Sequence, residues 1–274
     1  MTAFVKMHGL GNDFVVFDAR HATITLPPSV IRKLADRHFG IGCDTVVVIG
    51  PGPANADASL TFYNADGQKA ESCGNATRCV ARLLIDESGL TQVTLATQGG
   101  QVVCHDAGQG LVSVDMGAPV LDWAQIPMAQ AHDTTQFTLT VEDQTITASA
   151  ASMGNPHCIL FVEDADTAPV TLLGPKIEIL PLFPNRVNVE FAQVLDNKHI
   201  RMRVWERGVG VTLACGTGAC ATLVAAVRRG LSAREAEIIL DGGSLFITWR
   251  DDNHVIMTGP AVTAFHGQVD LEQP

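Results

Sequence analysis

Runs of β-branched residues recur along the chain: TVVVIG from Thr45, SLTFYN from Ser59, LVSVDM from Leu111, FTLTVEDQTITAS from Phe137, HIRMRVW from His199, SLFITW from Ser244 and HVIMTG from His254. Alternation with a period of two, or a short unbroken apolar run, predicts strands. Three other stretches space their apolar residues by three and four. PPSVIRKLADRHFG opens on proline, sets Ile31, Leu34 and Ala35 on one face and meets Gly40. CGNATRCVARLLIDESG places Ala76, Val80, Leu83 and Leu84 at i, i+4, i+7 and i+8 and stops near Gly89. CGTGACATLVAAVRRG repeats that spacing with Ala219, Leu223, Ala226 and Val227 and stops at Gly230. It is apolar nearly all round until Arg228, the pattern of a helix enclosed by other structure.

The Cys-Gly openings of the last two helices, Cys73 and Cys215, stand 142 positions apart. They are not an isolated echo. Asn12 and Asn155 are 143 apart, each after Gly and before an apolar strand that ends in an acid. Thr45 and Asn188 are also 143 apart, and Asn64 and Glu206, like Gly117 and Gly259, are 142 apart. Five such pairs in order imply an internal duplication, and a period this long means two similar domains rather than a solenoid. The boundary is expected between Gly117 and Val120 and the second half is expected to end near Ala261. The domains are therefore 1–118 plus 262–274, and 119–261.

A helix N-terminus carries unpaired N–H groups and a partial positive charge. That favours a thiolate over a thiol. The glycine that follows lets a ligand approach the backbone, and consecutive free amides suit a carboxylate. Each half thus offers a sulfur beside an anion site. If the halves pack about a pseudo-two-fold axis, one sulfur removes a proton from one face of a carbon and the other delivers one to the opposite face. That sequence of events inverts a stereocentre. Structural cysteines, a metal site built from Cys73, Cys79, Cys215 and Cys220, and a regulatory Cys73–Cys215 disulfide are the competing readings. The metal reading is weak, because Cys79 lies six positions beyond Cys73 on a different azimuth of the helix.

Bulk properties narrow the partners. A chain of 274 residues, 46% apolar, can bury one large core or two ordinary ones. A net charge of −11 argues against nucleic acid. No apolar run is long enough to span a bilayer, and the opening residues lack the form of a secretion signal, so a soluble cytoplasmic protein is expected. Seven cysteines are an odd number and none forms Cys-x-x-Cys, so neither a disulfide framework nor a zinc ribbon is expected. Cys43, Cys79, Cys104, Cys158 and Cys220 read as small apolar core residues.

The segments KMHGLGNDF, ADRHFGIGCD, FYNADGQKAESCGNATRC, SMGNPHC, VNVEF, VWERGVGVTLACGTGACA and MTGPA, in this order over essentially the whole chain, closely resemble the diaminopimelate epimerase family. The resemblance implies an α/β (α+β) fold of two pseudo-symmetric domains, each a curved, mostly antiparallel sheet wrapped round a central helix, with the active site in the cleft between them. It implies a homodimeric, cofactor-independent and metal-free enzyme that interconverts LL- and meso-2,6-diaminopimelate for lysine and peptidoglycan synthesis. Carried onto matching positions, Cys73 and Cys215 are the acid–base pair. The amides of Gly74, Asn75, Gly216 and Thr217 cradle the carboxylate at the reacting carbon. Asn12 and Thr45 approach the reacting amino group. Asn64, Asn155, Asn188 and Arg207 bind the far end of the substrate, and Glu206 accepts from the far ammonium. His157 and Glu206 lie where they tune the thiols. His8, His38 and Arg78 are read as structural.

Three positions depart from the family pattern. Thr45 stands where Gln is common, Ala76 where Gly is common after the first Cys-Gly-Asn, and Val211 where Glu is common. Ala76 suits a helix. Thr45 and Val211 bear on how the substrate is held. A related cofactor-independent racemase is the main alternative, against which the ERGVG and GNPH segments stand, because a small cyclic substrate has no far zwitterion. A non-catalytic thiol sensor is the alternative of another class.

Overall fold

The computed structural model describes residues 1–70 and 73–272. The chain divides into two compact units, Met1–Val114 with Thr258–Pro274, and Asp115–Met257. The divisions fall a few residues ahead of those read from the repeat.

In the first unit, β1 (Thr2–Gly9) and β2 (Asn12–Asp18) form an antiparallel hairpin. Its turn residues Leu10 and Gly11 both have positive φ, 58° and 83°. This is the turn whose twist matches that of the strands it joins. After α1 (Pro28–Ala35), β3 (Thr45–Pro51) runs parallel to β2, with Phe14 beside Thr45. Next, β4 (Ala58–Asn64) returns antiparallel and brings Asn64 opposite Thr45. It buries Ala58, Leu60 and Phe62, as the alternating pattern demands. A short β5 (Lys69–Ala70) precedes α2 (Gly74–Ser88), which closes on Gly89 at φ 70°. β6 (Gln92–Thr97) then lies parallel to β4, and β7 (Gly100–Gly108) and β8 (Leu111–Asp115) continue antiparallel. The buried face of α2 packs on β1, β2, β3, β6 and β7.

The second unit repeats this order. The strands are β9 (Phe137–Val141), β10 (Gln144–Ser152), β11 (Pro156–Phe161), β12 (Asn188–Asp196), β13 (His199–Glu206), β14 (Gly210–Val211), β15 (Glu235–Leu240), β16 (Gly243–Trp249) and β17 (Val255–Pro260), which straddles the boundary. Helix α3 (Val170–Glu178) follows β11 and α4 (Gly216–Arg228) follows β14. The pairings match those of the first unit: β11 is parallel to β12, β13 parallel to β15, and β12 antiparallel to β13. Helix α4 is enclosed by β10, β11, β12, β15 and β16. The chain then returns to the first unit as β18 (Val262–Val269), antiparallel to β1. It stands to β1 as β9 stands to β10. Both units are thus mostly antiparallel sheet around one helix.

Two local readings of the sequence need revision. The run from Phe137 is not one strand but a hairpin, turned at Glu142, whose φ is 55°. Its continuous β-branched pattern hides a turn that lacks glycine. Helix α3 escapes the sequence pattern because Gly174 and Pro175 sit inside it. A Cβ on Gly174 would fall 2.5 Å from the Trp205 side chain, so close packing, not helix propensity, selects the residue.

Candidate active site

Cys73 caps α2 from an extended conformation, φ −150° and ψ 101°. Its carbonyl accepts the Thr77 N–H at 2.9 Å, which starts the helix and leaves the earlier amides of Gly74 and Asn75 outside the helical ladder. The thiol is half-buried, 4.0 Å from Asn12 Oδ1. Asn12 comes from the first residue of β2, just past the tight turn. Asn75 Nδ2 donates to its Oδ1 at 3.2 Å, and Arg78 Nη1 donates to Asn75 Oδ1 at 2.9 Å. Arg78 is fully buried, and its Nη2 lies 2.9 Å from where a Cβ on Gly9 would stand, so the glycine gives the guanidinium room against β1. Cys73, Asn12 and Asn75 therefore meet.

A charged cluster, which the sequence patterns do not reveal, holds Asn12 from the other side. Asn12 Nδ2 donates to Asp44 Oδ2 at 2.8 Å. Arg37 bridges Asp44 and Asp13, at 2.7 Å to each, and Lys6 Nζ reaches Asp13 at 2.6 Å. Burial pushes the Asp13 carboxyl up, but the hydrogen bonds and charges of Arg37 and Lys6 outweigh it and bring it to about 2. Thr45 is buried, and Asn64 ends β4 opposite it with its side chain exposed.

In the second unit Cys215 caps α4 in the same way, φ −121° and ψ 108°, with its carbonyl taking the Ala219 N–H at 2.9 Å. Its surroundings differ. The thiol is buried, and burial pushes it well above the usual thiol range. The Glu206 carboxyl adds to that push, while the Thr217 hydroxyl, 3.6 Å away, and the Gly218 amide oppose it. Burial also raises Glu206, against the hydrogen bond donated by Thr212. His157 is fully buried between Glu190 Oε1, 2.6 Å from Nδ1, and Asn155 Oδ1, 2.9 Å from Nε2. A Cβ on Gly218 would fall 2.8 Å from Glu190 Oε1 and 3.2 Å from the Cys215 sulfur, so only glycine admits both groups at the first turn of α4.

Asn188 is buried. Its Nδ2 donates to the Pro156 carbonyl and its Oδ1 accepts the Arg207 N–H, both at 2.9 Å. Arg207 itself is exposed, with Nη1 3.2 Å from the Asn185 carbonyl. Glu178 steadies the loop that carries it, accepting from Gly208 N at 2.9 Å and from Trp205 Nε1 at 2.7 Å. Glu190 and Glu178 were missed in the sequence. The sign was available: an acid in the apolar run VNVEF falls on a buried strand position.

The remaining cysteines are buried. Burial lifts Cys43, Cys79 and Cys104 to about 12 and Cys158 higher still. Among the described residues no group of three or more His, Cys, Asp or Glu side chains is arranged to hold a metal, and no helix is long and apolar enough to cross a membrane.

The comparisons with known proteins agree with this geometry. The sequence model of the family described as diaminopimelate epimerase matches residues 4–121 and 149–264, one segment in each half of the repeat. The diaminopimelate epimerase of Rhodospirillum centenum is 52% identical over 271 residues, covering 97% of this chain and 91% of that protein. That of Phenylobacterium zucineum is 51% identical, covering 97% of each. Among solved structures, a probable proline racemase from Agrobacterium radiobacter superposes with a TM-score of 0.69 over 99% of this chain and 93% of its own, at 18% identity, which speaks to the fold. With identity near one half sustained along the chain and the duplicated Cys-Gly helix ends in place, the chain belongs to the diaminopimelate epimerase family.

Proposed function

We propose that the protein interconverts LL- and meso-2,6-diaminopimelate without a cofactor, by proton exchange at one α-carbon with Cys73 and Cys215. The observation that carries this reading is the repeated capping geometry: in each unit a cysteine stands at the N-terminus of the enclosed helix, followed by amides with no helical partner. One sulfur, as thiolate, takes the α-proton. The electron pair left on carbon delocalises into the α-carboxylate, and the amides of Gly74, Asn75, Gly216 and Thr217 stabilise the charge that grows there. The other sulfur, as thiol, gives its proton to the opposite face. At the end the two sulfurs have exchanged protonation states; proton exchange with solvent restores the starting form for the next forward turnover, and in the reverse direction the two roles swap.

The binding roles follow the same reading. Asn12, with Thr45, attends the reacting amino group. Asn64, Asn155, Asn188 and Arg207 bind the far carboxylate, where a guanidinium supports a charge-assisted contact. Glu206 takes the far ammonium, and His157 with Glu206 tunes the sulfurs. The family resemblance supports a homodimer. The free cysteines suit a reducing, cytoplasmic compartment.

The test is solvent exchange. Purified protein in deuterated water, with no added pyridoxal phosphate, is expected to label the α-position of LL-diaminopimelate and to form the meso isomer. Labelling of proline instead would overturn the substrate, and labelling of neither would overturn the enzyme reading in favour of a thiol sensor.

A further inference from the structure

Beneath the Cys215 end of α4 lies a polar pair, one member of which, Glu190, has so far been given no role. His157 on β11 and Glu190 on β12 are both fully enclosed, with Nδ1 and Oε1 2.6 Å apart. The other ring nitrogen, Nε2, lies 2.9 Å from Asn155 Oδ1. An amide oxygen only accepts, so Nε2 carries a proton. The short contact on the other side also requires one proton between Nδ1 and Oε1. Two patterns satisfy this: an imidazolium facing a carboxylate, or a neutral imidazole accepting from a carboxylic acid.

The second oxygen of Glu190 decides between them. Oε2 is buried with no hydrogen-bond partner among the described residues. A carboxylate would leave formal charge on that bare oxygen, whereas the carbonyl oxygen of an acid loses far less by the same burial. The repeat adds an independent argument. The first unit has Phe14, Val47 and Ala76 where the second has His157, Glu190 and Gly218, and all three of the former are buried apolar residues. Strand register confirms the equivalence, since Val16 lies beside Val47 and Ile159 beside Glu190. The same scaffold fills this space with hydrocarbon, so the polar pair is not a requirement of the fold.

We propose that Glu190 is a positioning residue that stays protonated, donates from Oε1 to Nδ1 of a neutral His157, and through Nε2–H fixes the Asn155 amide so that its Nδ2 donors face the far carboxylate of the substrate. The proposal rests on the epimerase reading, which is what places substrate against Asn155. Among the described residues the Asn155 side chain makes no hydrogen bond other than that to His157. The groups that face Cys215 are Glu206 on β13, Glu190 on β12, His157 and the hydroxyl of Thr217. A neutral Glu190 leaves Glu206 as the one negative side chain opposing a thiolate there.

Nitrogen-15 NMR of the full chain with labelled histidine tests the protonation directly, with the His157 signals assigned from their loss in His157→Gln. The expected result at neutral pH is the neutral Nε2–H tautomer. An imidazolium, or a proton on Nδ1 alone, overturns the proposal. Kinetics test the relay. Glu190→Gln, whose amide also donates to Nδ1, is expected to keep KM for LL-diaminopimelate and the pH profile of kcat. Glu190→Leu is expected to raise KM about tenfold, the scale of one hydrogen bond to a charged group, with a smaller change in kcat. Equal loss in both variants, or an alkaline limb of kcat moved to lower pH by the Gln variant, overturns it. If the wild-type chain fails to exchange the substrate's α-hydrogen, the epimerase reading falls, while the NMR result still decides the state of the pair.

Discussion

The two halves hold equivalent asparagines by different means. Asn12 is held at both ends of its amide: its nitrogen donates to Asp44 in a partly exposed cluster with Arg37, Asp13 and Lys6, and its oxygen accepts from Asn75. Asn155 is oriented through its oxygen, by a histidine sealed in the core against Glu190. Under the first cysteine the packing is Phe14, Val47 and Ala76; under the second it is His157, Glu190 and Gly218. The exposure of the sulfurs follows, with Cys73 half-buried and Cys215 buried beside acids. Duplication preserved the strand order, the register and the helix caps. Divergence acted on charge. A symmetrical scaffold can thus carry two chemically unequal thiols.

The sharpest way to break that comparison is to remove each sulfur in turn. Cys73→Ala and Cys215→Ala are each expected to lower inversion on the order of 10³-fold, because each deletes one partner of a two-face transfer. Each variant keeps one base, so each is expected to exchange the α-hydrogen of one epimer only, and the two variants opposite epimers, as read by mass spectrometry in deuterated water. Inversion retained by either variant would show that one sulfur suffices.

Removing the cluster that orients Asn12 comes next. Asp13→Asn strips Lys6 and Arg37 of their shared acid and is expected to cost about 2–3 kcal/mol, measured by urea denaturation. The pH dependence carries the same sign. The Asp13 carboxyl titrates at about 2 in the folded chain against an ordinary 3.8, so its stabilisation is complete above 3.8 and lost as pH falls through 2. The variant is expected to lack that part of the acid limb. An unchanged limb would place the stabilisation elsewhere.

The packing contrast under the helices yields a paired test. Gly218→Ala inserts a Cβ 2.8 Å from Glu190 Oε1, and overpacking of this kind costs about 1–3 kcal/mol. The mirror change, Ala76→Gly, is expected to cost about 1–2 kcal/mol through helix propensity and the loss of a buried methyl, with no overpacking. Equal thermal shifts would mean the two sites are packed alike. Smallest of all is Val211→Glu, at an exposed position of β14, with an expected stability change within about 0.5 kcal/mol. Its readout is KM for the substrate, which tests whether the position touches the far ammonium.

The enclosed helices, their caps and the repeat were legible because each rests on local pattern: Cys73 and Cys215 announce a helix start, Gly89 and Gly230 a stop. The meeting of Asn12 with Asn75 was foreseeable only through the family motifs, since it is made across a tight turn and a helix start 63 positions apart. What stayed hidden was long-range and electrostatic. Nothing near Arg37 in the sequence says that it bridges Asp13 and Asp44, and nothing near Glu190 names His157 as its partner. Helix α3 was lost to a glycine chosen by Trp205, a contact with no local signature.

Strand β18 has a consequence for how the chain matures. The second unit is one continuous segment, whereas the first has its β1 edge covered by residues synthesised after the whole of the second. During translation β1 waits with an open edge until β18 emerges, a surface that invites pairing with other chains. Completion of the N-terminal half is thereby made contingent on a strand that leaves the ribosome only after the whole second unit.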